Sequence, residues 1–154
     1  MASESFVSMK FEGGSELARN LDLLGAPLAE SIKVDALTIA AEPMRDRMER
    51  LAPVSFEGDP HMADNIVIGT VSSRKIEAAG RQGETVIEVG PRGGRSGNDF
   101  FYSFFVEYGT AHAPAQPFAR PAFEQTAPQC LEILGDELWF AVRRKLPAGE
   151  ERFV

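Results

Sequence analysis

Apolar positions along this chain follow a helical period first, then a strand-like one, then a helical one again. Residues 5–11 (SFVSMKF) alternate imperfectly and predict a short first strand, broken by Gly13 and Gly14. Ser15 is placed to cap a following helix, because its hydroxyl can accept an otherwise unpaired backbone N–H. Leu17, Leu21 and Leu24 fall on one face of that helix, and Gly25 ends it. Pro27 then suits the first turn of a longer helix running to about Leu51, with Leu28, Ile32, Ala36, Ile39, Ala40, Met48 and Leu51 at helical spacing. Pro43 lies inside this stretch, so a kink is expected over residues 39–43. Ala52 and Pro53 close the helix, and residues 54–65 read as a loop rich in Gly, Pro, Asp and Asn.

Residues 66–71 (IVIGTV) and 85–90 (TVIEVG) are dense in β-branched side chains and predict two strands. The intervening SSRKIEAAGRQGE is expected to extend both strands, with Arg81, Gln82 and Gly83 at a hairpin tip. Residues 90–99 form a glycine-rich loop. The run FFYSFFVEYG at 100–109 is the most apolar of the chain, and as a helix it would place Phe100, Phe101, Phe104, Phe105 and Tyr108 on one face. A buried strand is equally open, since periodicity alone does not separate the two. The last long element starts near Pro117 or Pro121 and reaches Lys145, with a stripe of Phe123, Ala127, Leu131, Leu134, Leu138 and Val142. Pro128 and Gly135 weaken it locally; Arg143, Arg144 and Lys145 complement the negative end of its dipole. No internal repeat or linker is evident. The expectation is one domain over residues 1–154 of α+β class: N-terminal helices, a central antiparallel β-hairpin or small sheet, and a long C-terminal helix.

Composition narrows what such a domain can do. With 154 residues, 44% hydrophobic and 25% charged, the chain can bury a core of ordinary size. No apolar run approaches the roughly 18 residues a membrane span needs, and the first residues lack a secretory signal pattern, so no membrane partner and synthesis in the cytoplasm are expected. The formal charge of −7 argues against tight nucleic-acid binding, which depends on neutralising phosphates. It would suit a passage through which DNA slides without sticking, although solubility is the simpler explanation.

Candidate chemistry is sparse. The single cysteine, Cys130, lies on an apolar stripe and excludes both an intramolecular disulfide and a cysteine-built metal site. His61 and His112, the two histidines, sit in proline-containing loops with no metal-ligand spacing. The glycine-rich loop lacks the GK[ST] ending of a phosphate-binding loop, and no GxSxG nucleophile elbow occurs. No catalytic residue, cofactor or metal is expected. Glu107 is the carboxylate to weigh: it follows an aromatic run, a buried glutamate needs a partner, and Arg120 is the candidate for an ion pair across the intervening loop.

The stretch VEYGTAHAPAQPFARPA, residues 106–122, is the most distinctive of the chain. Gly109 permits a backbone angle that a side chain resists. Pro114, Pro117 and Pro121 stiffen the segment that follows. Phe118, its one large apolar side chain, should plug into a pocket, either within the chain or on a neighbouring subunit.

This stretch also resembles a known signature. The pattern V-E-x-G-T, carried by Val106, Glu107, Gly109 and Thr110, then P-A-x-P-F-x-R-P-A, carried by Pro114, Ala115, Pro117, Phe118, Arg120, Pro121 and Ala122, is similar to that of the neck and tail-completion proteins of tailed bacteriophages, a family that includes head–tail joining and minor tail proteins. ERLAPV at 49–54, AEPMR at 41–45 and the opening strand, glycine and Leu-rich helix fit the same family. The segment after Pro53 departs from it, reading FEGDPHMADNI where members often carry T-G-x-L-x-x-S-I.

The resemblance implies a structural virion protein, of a phage or a gene transfer agent, that forms a ring, most simply a hexamer, at the head–tail junction. Its implied partners are copies of itself, the head connector or stopper protein, a tail terminator or tail-tube protein, and DNA only in transit. The interface or structural candidates are Glu107, Gly109, Thr110, Pro114, Pro117, Phe118, Arg120 and Pro121, with the loops at 54–65 and 90–99 and the chain ends. A tail terminator is the alternative within the same class. A small cytosolic enzyme would need Glu107, His112 and Arg120 to converge on an open pocket. A regulatory binding module would stay monomeric.

Overall fold

The computed structural model describes residues 14–54, 62–92 and 102–145. The expected strand at 5–11, most of the glycine-rich loop, Phe100, Phe101, His61 and the tail beyond Lys145 lie outside them. Helix α1 (Gly14–Leu23) leads through Gly25, at φ 80°, into α2 (Ala26–Ala40), with Pro27 in its first turn. The predicted kink is a full break: α2 ends at Ala40, and α3 (Glu42–Leu51) begins after the single residue Ala41. Pro43 in the first turn of α3 has no N–H to continue the α2 ladder, whereas the same missing donor costs nothing at a helix start.

After a 3₁₀ turn (Ala63–Asn65), strand β1 (Ile66–Thr70) pairs antiparallel with β2 (Ile87–Pro91) in the register Ile66↔Pro91, Ile68↔Val89 and Thr70↔Ile87. The connection corrects the long-hairpin expectation. Residues 73–78 are not strand extensions but a short helix, α4 (Ser73–Ala78), followed by a turn in which the Glu84 N–H meets the Arg81 carbonyl at 3.2 Å. The physical reason lies in the composition of SRKIEA, which holds strong helix formers and only one β-branched residue, Ile76, whose side chain is buried. Ser103–Tyr108 is helical and forms α5, settling the strand-or-helix ambiguity, and α6 (Ala119–Lys145) spans 27 residues, continuing past both Pro128 and Gly135. The chain is thus α+β, with helices, a two-stranded antiparallel sheet and a long C-terminal helix. Among the described residues no helix is long and apolar enough to cross a membrane.

Helix α6 runs through two apolar clusters. At its start, Phe118 and Ala122 pack with Met48 and Ala52 around α3, and with Met62, Ala63 and Ile66 at the entry to the sheet. Near its end, Val142 joins Leu17 and Leu21 of α1 and Ala29 and Ile32 of α2, with Leu138 and Trp139 alongside. The α2–α3 pair therefore runs antiparallel to α6, and a bond from Arg47 Nε to Gln125 Oε1 at 2.6 Å links the two between the clusters. Met62 and Ala63 fall within the segment read as loop, yet they anchor the sheet to α3. The apolar stripe of α6 is shifted from the expected one. Ala122, Thr126, Ala127, Gly135 and Val142 are its buried residues, small enough for close helix approach, while Phe123 faces outward.

Phe118 is the largest side chain of the first cluster and is 2% exposed. Phe118→Ala is expected to cost about 3–5 kcal/mol by lost transfer and cavity formation. Equilibrium denaturation checks this, and a loss below about 1 kcal/mol would mean that the cluster is not a packed core.

Candidate functional site

The residues of the distinctive stretch converge on the junction between α5 and α6. Gly109 ends α5 by donating its N–H to the Phe105 carbonyl at 2.8 Å, at φ 76°. A Cβ there would lie 2.8 Å from the Ala115 nitrogen and 3.1 Å from the Ala113 oxygen, so both the angle and the space demand glycine. Thr110 then closes a tight turn. Its N–H reaches the Ala113 carbonyl at 2.8 Å, and its hydroxyl oxygen accepts from the His112 and Ala113 N–H groups at 3.2 and 3.1 Å. The chain returns alongside α5, where the Gln116 N–H donates to the Val106 carbonyl at 2.8 Å. Pro114 and Pro117 are exposed on this return, holding it extended without leaving donors to satisfy.

Glu107 closes the junction. Its Oε2 accepts the N–H of Phe118 at 2.8 Å and of Ala119 at 2.9 Å, and its Oε1 accepts that of Arg120 at 3.0 Å. The start of an α-helix has four N–H groups without intrahelical acceptors. Here the carboxylate takes three, Pro121 has none to offer, and the Ala122 N–H already reaches the Phe118 carbonyl at 3.2 Å. The first turn of α6 is fully satisfied by one side chain and one proline. Burial pushes the Glu107 carboxyl up; the bonds from Ala119, Phe118 and Arg120, aided by the Arg120 charge, outweigh it and hold it below its ordinary value.

The expected partner of Glu107 is thus present chiefly through its backbone, with its side-chain charge a smaller contribution. The Arg120 guanidinium lies over the Tyr108 ring, 5.3 Å from the centroid. Phe118 occupies the intramolecular pocket of the two that its sequence allowed. Glu107, His112 and Arg120 do not line either of the grooves found between α2–α3 and α6, and both oxygens of Glu107 are held by peptide groups. Among the described residues, no group of three or more His, Cys, Asp or Glu side chains is placed to hold a metal ion. Cys130 is half-buried and free.

What the sequence reading missed is the outer side of α5. Phe104, Phe105 and Tyr108 are 63%, 51% and 58% exposed, and the Phe104 and Tyr108 ring centroids lie 4.7 Å apart. The signal was the brevity of the helix. Six residues holding three large rings and a buried glutamate cannot turn every ring inward.

Residues 15–109 match a family model described as "Bacteriophage HK97-gp10, putative tail-component". The chain belongs to this HK97-gp10-like family. Membership agrees with the resemblance drawn from the sequence to a phage tail-protein family. The HK97-gp10-like match takes in α1 to α5 and ends at Gly109, so Glu107 lies inside it while the turn, the return and α6 lie beyond. No curated protein and no solved structure matches the chain.

Two outcomes follow for the junction. Because the folded-state pKa of Glu107 is lowered, its contribution is present above the ordinary glutamate range and is lost as pH falls through and below that range, about 4. Glu107→Gln should therefore cost about 1–3 kcal/mol at pH 7. Denaturation at a series of pH values should show the gap to wild type closing as the medium becomes acidic; a gap constant from neutral to acidic pH contradicts the cap. Gly109→Ala should cost at least about 2 kcal/mol, from left-handed strain and from the backbone shift that the added carbon forces. A melting temperature equal to wild type would show that the turn relaxes freely.

Proposed function

We propose that the chain is a non-catalytic structural subunit that forms a ring, a hexamer in its simplest form, at the head–tail junction of a phage-like particle. The ring joins the tail to the capsid connector and leaves a passage for DNA. Family membership supports the virion setting. The observation that carries the structural, non-catalytic part is the use made of the distinctive stretch: Glu107, Gly109, Thr110 and Phe118 are all engaged in holding α5 to α6, and neither Glu107 nor His112 lines a groove between α2–α3 and α6. The net charge of −7 supports a passage that does not retain DNA.

Particles assembled without the protein test this directly by electron microscopy. Filled heads and separate tails of normal length are expected. Tails of irregular length would assign the terminator role instead, and intact infectious particles would overturn the proposal.

A further inference from the structure

The described surface carries two unlike apolar features at opposite ends of α6. One is convex: Phe104, Phe105 and Tyr108 of α5, with Arg120 and Phe123 of the first turns of α6, all exposed. The other is concave, a groove of about 350 Å³ between α2 and the end of α6. The groove is lined by Leu28, Ile32, Ile39 and Phe140, of which Leu28, Ile39 and Phe140 are large apolar side chains open to solvent. Phe123 and Phe140 are 17 positions apart, which is about 25 Å along a helix and about 100° around it. A second groove, on α3 and the middle of α6, is lined mainly by charged and amide side chains such as Glu42, Asp46, Arg47, Arg50 and Gln125, and does not compete as an apolar receptor.

We infer that the aromatic face of α5 in one copy of this chain seats in the α2–α6 groove of the next copy. The inference rests on the ring reading above and names its contact. Area is the first argument. Aromatic side chains bury about 150–250 Å² each, so four rings at roughly half exposure offer about 400 Å². That is about half of the roughly 800 Å² per partner in a standard interface, so the surface flanking the rings must supply the rest.

Charge is the second argument. The convex face bears Arg120 with Glu124 four positions on, and the groove bears Asp35 and Glu137 together with Arg144 and Lys145, so each sign on one face has an opposite to meet. The third is symmetry. A contact between unlike patches leaves every copy with one of each still open, so it propagates from subunit to subunit until the rotation closes a ring. A contact of like patches would stop at a dimer.

The test uses the full chain, two double variants at exposed positions, and mass photometry with sedimentation, circular dichroism confirming that each variant folds. Phe104→Asp with Phe105→Asp removes the convex face; Leu28→Asp with Ile39→Asp removes the groove. Wild type is expected to form a ring, and each variant to fall to the 16.8 kDa monomer. An equimolar mixture of the two variants is expected to give a species of twice that mass and nothing larger, because one intact face meets one intact groove. A wild-type ring that survives either substitution overturns this contact and leaves the ring reading standing. Assembly lost only in the α5 variant would show the aromatic faces meeting each other, which also overturns it. A wild type that stays monomeric at all concentrations overturns the ring reading, and the contact with it.

Discussion

Three peptide N–H groups at the start of a 27-residue helix have no carbonyl to reach, and one buried carboxylate takes all three. Much of the structure depends on that bond set. Helix α5 has six residues, too few to persist alone in water, and its last turn is held because Glu107 is fastened to α6. In return the cap fixes the rotational start of α6. It turns Phe118 and Ala122 toward Met48, Met62 and Ile66, and leaves Arg120 and Phe123 outside. Gly109 and Thr110 make this possible by reversing the chain within a few residues, so that position 107 can lie against positions 118 to 120. The sheet is tied in through the same cluster, since Ile66 and Val89 pack where Phe118 enters.

The parts legible from sequence were those in which a single local rule dominates. The helical stretches over residues 26–51 and 119–145, the interruption at the proline between α2 and α3 and the two β-branched strands appear close to where their patterns place them, although the buried face of α6 is shifted from the apolar stripe. Residues 73–78 were misread because flanking strands made extension the simplest continuation, whereas helix propensity in RKIEA and burial of Ile76 decide the local form. Glu107 was recognised as a carboxylate in need of a partner, and charge pointed to Arg120. Peptide N–H groups carry no letter in a sequence, so three donors from consecutive residues were invisible while the one cation nearby was not. Met62 was hidden for a related reason: a residue between a glycine- and proline-rich segment and a strand reads as loop, and only the fold shows α3 waiting to receive it.

Part of the family-like stretch therefore serves the fold itself. Its glutamate and phenylalanine are directed inward, and its glycine sits against the returning backbone, at the junction of two helices. Residues at such a junction respond to the demands of the fold whichever neighbours the protein has. The AEPMR segment behaves similarly. Arg45 spans Glu42, Asp46 and Glu49 on its own helix, a local network of partly exposed pairs that contributes little energy and needs no partner. Surfaces for assembly must then be sought where the chain leaves apolar area unspent, on α5 and along the α2–α6 groove.

Both of those surfaces are mounted on α6, and this places a geometric burden on its middle. The helix is about 40 Å long. Pro128 lies between the two ends, removing the N–H that would meet the Glu124 carbonyl, and Gly135 follows just before Glu137, where the groove begins. Any bend at these positions changes the angle between the aromatic face and the groove. In a ring assembled through them, that angle is the rotation from one subunit to the next and sets how many copies close it. Glu107 fixes the near end of this lever, because a loosened α5 would present its rings at no fixed angle. In such a ring, a stiff cap at one end and a proline in the middle of the helix would divide the work: the first would make the contact reproducible, and the second would set the curvature.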